Sequence, residues 1–294
     1  MGKVIFVLKK RALAVVLCRW LSSRLNMSTT QNTSTKLIVF TDLDGTLLDH
    51  DTYSWSPALP ALTRLKALGV PLVLASSKTA FELVDLRKQL GFEHCPAIVE
   101  NGAGLLPAFE TPDQNASQHQ QILTALSELP GDVRGKFRGF SDWSDAQCAA
   151  QTGLPLDQAK SARRRQFSEP GLWLGTADQL HDFESKLAES GISARQGGRY
   201  LTLSFGATKA DWMSQILSEY DPKPQAMALG DAPNDIEMIQ VADYGVIIKN
   251  THGAGIPKMD NTAEATIIRT SLAGPAGWNI EVCARLKKMY KEKE

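Results

Sequence analysis

The chain reads as an α/β protein, a doubly wound parallel sheet interrupted by an inserted α+β domain, and three observations lead there. Apolar runs of strand length alternate with amphipathic stretches of helix length towards both ends of the sequence. Two of those runs stop in acidic, glycine-containing loops, and the stretch between them, 109–204, is more polar and differently patterned. The first run, Lys36 to Thr41, is rich in Ile, Val and Phe, as a strand covered on both faces requires. Pro57 to Leu68 follows as a helix with apolar residues at Leu59, Leu62, Leu65 and Leu68, stopped by Gly69. Pro71 to Ala75 is a second buried strand, Phe81 to Leu90 a helix stopped by Gly91, and Ala97-Ile98-Val99 a third, short strand. Beyond the insertion the order resumes with a helix over Ala207 to Tyr220, a strand over Ala226 to Leu229, a helix over Asp235 to Val241 and a strand over Tyr244 to Ile248. The insertion itself predicts two helices and separated strand-like runs. The expected division is therefore a core made of 36–108 and 205–294, an inserted domain at 109–204, and an N-terminal extension, 1–35, read as disordered.

Composition excludes several classes. With 294 residues, 43% of them hydrophobic, the chain can bury a full core as one large or two ordinary domains. Its 32 basic and 32 acidic residues cancel, so there is no general electrostatic reason to expect nucleic acid as a partner. Cys18, Cys95, Cys148 and Cys283 are far apart and show no zinc or redox spacing, which fits a reducing cytoplasm. The five histidines are as scattered, so neither a His-based metal site nor a triad has local support. Residues 1–26 carry Lys3, Lys9, Lys10, Arg11, Arg19 and Arg24 without an acid, and their apolar pieces are too short to span a bilayer. They are read as an extension upstream of a start at Met27 in preference to a basic membrane-surface helix.

The chemistry concentrates in the two acidic loops. Asp42-Leu43-Asp44-Gly45-Thr46-Leu47 follows the first strand directly, and open α/β sheets bind ligands at the carboxyl ends of their strands. Carboxylates this close repel unless they share a proton or a cation; the alternative is a solvated Asp/Gly turn. Gly230-Asp231-Ala232-Pro233-Asn234-Asp235 repeats the device after a second buried strand, the alternative there being a helix N-cap on Asn234 or Asp235. If both strands share one sheet, Asp231 and Asp235 face Asp42 and Asp44 across one edge. An oxygen-only donor set with few side chains suits Mg²⁺ better than Ca²⁺.

Together with Ser76 at the second strand's end and Lys209 about twenty residues ahead of the second acidic loop, these residues resemble the four motifs of haloacid-dehalogenase-like phosphatases. The order and spacing run from Lys36 to Ile248. The resemblance implies a Rossmann-like core with an inserted cap of the large mixed type, C2B. Ser76-Ser77-Lys78-Thr79, Glu100-Asn101-Gly102, Arg165-Gln166-Phe167-Ser168-Glu169-Pro170 and Gly197-Gly198-Arg199-Tyr200 are similar to mannosyl-3-phosphoglycerate phosphatases.

Phosphoryl transfer needs an in-line nucleophile, charge neutralisation and proton traffic at the leaving oxygen. Asp42 is the candidate nucleophile and Asp44 the acid and base, with Ser76 and Lys209 gripping phosphoryl oxygens. The metal would lie on Asp42, the Asp44 backbone carbonyl and Asp231, with Asn234 and Asp235 supporting that shell and orienting Lys209. Ser77, Lys78, Glu100, Asn101, Arg165, Ser168 and Arg199 are the expected substrate contacts. Arg165 and Arg199 suit a carboxylate or phosphate, and Glu100 and Asn101 suit sugar hydroxyls. Arg163-Arg164-Arg165 is alternatively a solvated basic helix end, and Trp143, Trp173 and Trp212 are expected to pack. The expectation is a cytoplasmic Mg²⁺-dependent phosphatase acting on a small phosphorylated sugar-glycerate, mannosyl-3-phosphoglycerate, with neither nucleic acid nor membrane as partner. Its rivals are a phosphatase of the glucosyl analogue or another sugar phosphate, a phosphohexomutase with the same cap, and a non-catalytic sugar-phosphate sensor.

Overall fold

In the computed structural model, residues 35–113, 116–253, 255–259 and 267–290 are described. The readings made for the N-terminal extension therefore lie outside the described residues. The strand β1, Leu37–Thr41, is buried along its whole length and lies at the centre of a seven-stranded sheet. On one side it pairs in parallel with β2, Leu72–Ala75, and on the other with β9, Gln225–Gly230. Beyond β2 come β3, Ala97–Val99, and an antiparallel β4, Gly104–Leu106. Beyond β9 come β10, Tyr244–Lys249, and β11, Ile268–Ala273, both parallel. The stretches before and after the insertion thus meet in one sheet, with β1 beside β9.

Period-two alternation along β1 explains its uniformly apolar sequence. Leu37 and Val39 enter one core with α1, Leu59–Ala67, and α10, Gly274–Tyr290. Ile38 and Phe40 enter another with α8, Lys209–Ser218, and α9, Ile236–Val241. The helix α2, Ala80–Leu90, adds Leu83 and Leu90 to the first core and is held by a Thr79 and Glu82 capping box at one end and left-handed Gly91 at the other. Trp278 of α10 is fully buried, and its indole N–H donates to Thr41 Oγ1 at 3.0 Å, pinning the last helix to the end of β1.

Between β4 and α8 the chain builds a second, antiparallel sheet in the order β5, β6, β8, β7. These strands span Phe137–Gly139, Ser168–Trp173, Leu201–Ser204 and Ser193–Gln196 respectively. Among the described residues here, the two helices expected become five: α3, Ser117–Glu128; α4, Gly131–Arg134; α5, Asp145–Thr152; α6, Leu156–Ala162; and α7, Ala177–Glu189. The extra ones are short, four to eight residues, and bury few large apolar side chains, so their apolar periodicity is weak. Ile122 and Leu126 of α3 with Phe183 and Leu187 of α7 cover the sheet, while Cys148 of α5 and Ala159 and Ala162 of α6 close round Phe140 as a smaller satellite. The strand β11 and helix α10 were also absent from the expected order; β11 is largely exposed and lacks a strand's apolar signature.

Candidate active site

The carboxyl ends of β1 and β9 bring the two acidic loops together. Asp42 leaves β1 with its N–H donated to Leu229 O of β9 at 2.9 Å, so the sheet register extends into the first loop. That loop folds back through N–H bonds from Thr46 and Leu48 to Leu43 O and from Gly45 to Leu48 O. Gly45 has φ +78, and a Cβ there would sit 2.7 Å from Asp231 Oδ2, so only glycine lets the loops approach. In the second loop Pro233–Asp235 forms a 3-10 turn, and Asp235 Oδ2 accepts from the N–H groups of Asp231 and Ala232, each at 3.2 Å.

Lys209 joins the loops. As the first residue of α8, behind a Thr208 and Asp211 capping box, it lies 2% exposed. Its Nζ is 2.8 Å from Asp42 Oδ1 and 2.7 Å from Asp235 Oδ1. One oxygen from each of Asp42, Asp231 and Asp235 lies within 4.8 Å of the others. Three buried carboxyl groups thus surround one ammonium. Burial, then the charge of Asp235, push the Asp42 carboxyl well above its ordinary range despite the pull of Lys209. Burial and Asp235 likewise push Asp231 up to about 6. Burial alone would lower the Lys209 pKa, but Asp235 and Asp42 outweigh it and hold the ammonium protonated.

A divalent cation fits this donor set. Asp235 is taken up by Lys209 and two backbone N–H groups, leaving Asp42 and Asp231 to supply oxygens. Asp231 is aimed by Thr46 Oγ1, 3.0 Å from Oδ1, and Asn250 Nδ2, 2.7 Å from Oδ2. The surplus negative charge, with two carboxyls held above their ordinary range by burial and mutual repulsion, is what a hard dication would relieve.

Around this centre the other sequence-predicted residues divide. Ser76 is buried beyond β2, its N–H on Ile98 O, its carbonyl accepting from Asn101 and its Oγ accepting from Lys78 N–H at 3.2 Å. Lys78 Nζ lies 2.9 Å from Asp44 Oδ2, while Asp44 Oδ1 is buried with no hydrogen-bond partner among the described residues. Burial would lower the Lys78 pKa, yet the Asp44 carboxylate raises it overall. Arg165 reaches across from the inserted domain to donate to Ser77 O at 3.0 Å, and its guanidinium lies 5.5 Å from the Phe140 ring centroid. This corrects the alternative of a merely solvated basic helix end for Arg165.

Three other placements differ from expectation. Glu100 was expected at sugar hydroxyls, but both its oxygens are occupied: they accept from Gln166 N–H at 2.9 Å, Phe167 N–H at 3.2 Å and Ser168 Oγ at 2.7 Å. Glu100 and Ser168 therefore bind each other across the junction of the two domains; both are almost fully buried, which leaves them no face for a ligand. Asn234 donates to Asn101 Oδ1 at 3.0 Å instead of to Lys209 or the acidic cluster. Arg199 is exposed and donates to Gln151 O within the inserted domain. Ser77 is exposed at the mouth, beside Arg165. Trp212 donates its indole N–H to Gly102 O at 2.9 Å, and Trp173 packs on Phe183.

Sequence reasoning missed Thr46 and Asn250. Thr46 stood inside the quoted motif, and Asn250 follows β10 on the same edge of the sheet, so both carried a positional signal. The buried Glu169, bound to His119 Nε2 at 2.6 Å and to Ser141 N–H and Oγ, also stood inside a quoted stretch, 165–170, without being singled out.

A doubly wound sheet with facing acidic loops, a buried lysine between them and a second domain laid over the mouth defines a capped α/β hydrolase. The chain belongs to the haloacid dehalogenase-like hydrolases, whose family model matches residues 39–129 and 174–266. Solved structures of similar fold include the sucrose-phosphatase of Synechocystis sp. PCC6803 in complex with sucrose and phosphate. It is 17% identical, with a TM-score of 0.55 over 86% of this chain and 98% of that one. A phosphatase of the superfamily from Bacteroides thetaiotaomicron is also 17% identical, with a TM-score of 0.54 over 90% of this chain and 98% of its own. A subclass IIB sugar phosphatase is 15% identical, with a TM-score of 0.54 over 87% of this chain and 99% of its own.

Proposed function

We propose that this hydrolase is a Mg²⁺-dependent phosphatase that removes the phosphoryl group of mannosyl-3-phosphoglycerate, releasing mannosylglycerate. The observation that carries the phosphatase reading is the buried Lys209 ammonium bridging Asp42 and Asp235 beside Asp231, a nucleophile and its counter-charges in one cluster. Sugar phosphates as substrates agree with the likeness to the sucrose-phosphatase and subclass IIB folds. The choice of an anionic sugar-glycerate rests on the motif resemblance, and on Arg165 and Lys78 flanking Ser77 at the mouth.

In this reading an Asp42 oxygen attacks phosphorus as the bond to the glycerate oxygen breaks, giving an aspartyl-phosphate. Asp44 gives its proton to the departing oxygen, then takes one from the water that hydrolyses the aspartyl-phosphate and regenerates Asp42. Lys209 and Ser76 hold phosphoryl oxygens, and Asp235 keeps Lys209 in place. Asp42, the Asp44 carbonyl and Asp231 would hold Mg²⁺, which when bound supplies positive charge for a dianion approaching a carboxylate.

Phosphate release across a panel of sugar phosphates and glycosyl phosphoglycerates, with Mg²⁺ and then with EDTA, tests the reading. The mannosyl compound should lead the panel, EDTA should abolish release, and Asp42→Asn should abolish it at any metal concentration. Unchanged release from Asp42→Asn would remove the catalytic assignment, and net isomerisation of a hexose phosphate without free phosphate would make the protein a mutase.

A further inference from the structure

Between the first acidic loop and α1 the chain makes a tight turn, Asp49 to Ser54, whose bonds are largely internal. Asp49 Oδ1 accepts from Thr52 N–H at 2.9 Å and from Thr52 Oγ1 at 2.7 Å. Asp49 N–H donates to Ser54 O, and Tyr53 N–H to Asp49 O. The turn holds Tyr53 at φ +54, a left-handed conformation rare for a bulky aromatic side chain. Two residues on, Trp55 packs against the main core, whereas Tyr53 stays 42% exposed. Within the fold the ring's cation contact is Lys78 and much of it stays open to solvent, a small return for a strained backbone, which points to a ligand.

The ring's position names that ligand. Lys78 Nζ lies 5.3 Å from the Tyr53 ring centroid and 2.9 Å from Asp44 Oδ2, so two contacts separate the ring from the carboxylate assigned to the leaving oxygen. Whatever leaves with that oxygen extends away from Asp42 past Asp44. Polar groups already crowd this side, with Asp44 Oδ1 and Arg165 Nε both buried without hydrogen-bond partners among the described residues. Tyr53 offers an apolar face there, of the kind that covers the C–H face of a pyranose.

We propose that Tyr53 is the platform for the sugar ring of the leaving group, and so a specificity-determining residue contributed by the core and not by the inserted domain. This rests on the sugar-phosphatase reading above, and the test separates the two. Acetyl phosphate, which has no ring to stack, serves as the reference substrate alongside the best sugar substrate of the panel. In Tyr53→Gly the ratio of kcat/KM for the sugar substrate to that for acetyl phosphate falls about tenfold, the scale of one lost aromatic contact. The loss lies in KM, and Tyr53→Phe retains the ratio because the ring remains. Thermal stability does not drop in Tyr53→Gly, since glycine accepts φ +54 without strain. An unchanged ratio in Tyr53→Gly, an equal fall for both substrates, or a Tyr53→Phe as impaired as the glycine variant overturns the platform. Acetyl phosphate hydrolysis that disappears in Asp42→Asn keeps the phosphatase reading standing whichever way Tyr53 behaves. Its persistence in that variant removes the phosphatase reading on separate grounds.

Discussion

Replacing Asp231 by Asn should stabilise the metal-free protein while inactivating it. Burial and Asp235 raise the Asp231 pKa from 3.8 to about 6, and the side chain is 4% exposed, so solvent screens little of this. A folded-state pKa above the unfolded one means that the contribution is favourable below about 4, where the acid is protonated in both states, and is lost as pH rises through about 6. At pH 7.5 the ionised group therefore costs roughly 3 kcal/mol, about two pK units at 1.36 kcal/mol each. Asn removes that cost and still accepts from Thr46, but it turns an amide towards Asn250 Nδ2, a lost hydrogen bond of about 1 kcal/mol. The net gain is about 2 kcal/mol, or roughly 5 °C in Tm for a chain of this size. The assay is thermal or urea unfolding in EDTA between pH 5 and 7.5, repeated with millimolar Mg²⁺. Wild type should gain stability as pH falls towards 5 and on adding Mg²⁺ at pH 7.5; the variant should be flatter in pH and indifferent to the metal. An Asp231→Asn protein less stable than wild type at pH 7.5 in EDTA, or a wild type insensitive to Mg²⁺, would refute the picture of a charge-frustrated apo site.

The same cluster makes opposite demands on its cation. Lys209→Met strands the Asp42 and Asp235 carboxylates and should cost about 3–5 kcal/mol in urea unfolding along with phosphatase activity; adding Asp235→Asn should recover part of the stability and none of the turnover. Glu100→Gln keeps the side chain's shape but turns an amide towards donors at Gln166, Phe167 or Ser168, at a cost of about 1–3 kcal/mol by the same measurement.

How much of this was legible depends on where the information sits. The strands β1, β2, β9 and β10 announce themselves because both faces are covered, so their central positions are apolar and their ends are marked by polar residues. Asp42, Asp231 and Lys209 could be placed because each lies at a strand end or a helix start whose position the apolar runs define. Glu100 could not: its residue type suggests a ligand contact, and only the three-dimensional path of 166–168 shows that its oxygens are taken. The short helices α5 and α6 bury only Cys148, Ala159 and Ala162, too little to print an amphipathic period. Tyr53 escaped notice because a turn residue's φ is not written in its neighbours, and the contact of Arg199 to Gln151 O could not be foreseen because an arginine's type does not say which acceptor it meets.

The tripeptide Glu100-Asn101-Gly102 shows why such a misreading matters mechanistically. Its φ values of +53, +58 and +91 put three successive residues in the left-handed region, two of them non-glycine, at a cost of order 1 kcal/mol or more each. Such a loop persists only where its surroundings determine it, and each residue is held by a different part of the molecule. Glu100 accepts from the start of β6 in the inserted domain, and Asn101 donates its N–H to Ser76 O and accepts from Asn234. A Cβ on Gly102 would lie 2.3 Å from the backbone of Thr208 and Lys209, so the tripeptide presses directly on the residue that carries the ammonium. Within three residues the loop therefore touches the start of β6, Ser76 and the start of α8. Glu100 and Asn101, taken from sequence for sugar contacts, thus belong to the contact between β6, Ser76 and the loop of Asn234, next to the start of the helix that carries Lys209.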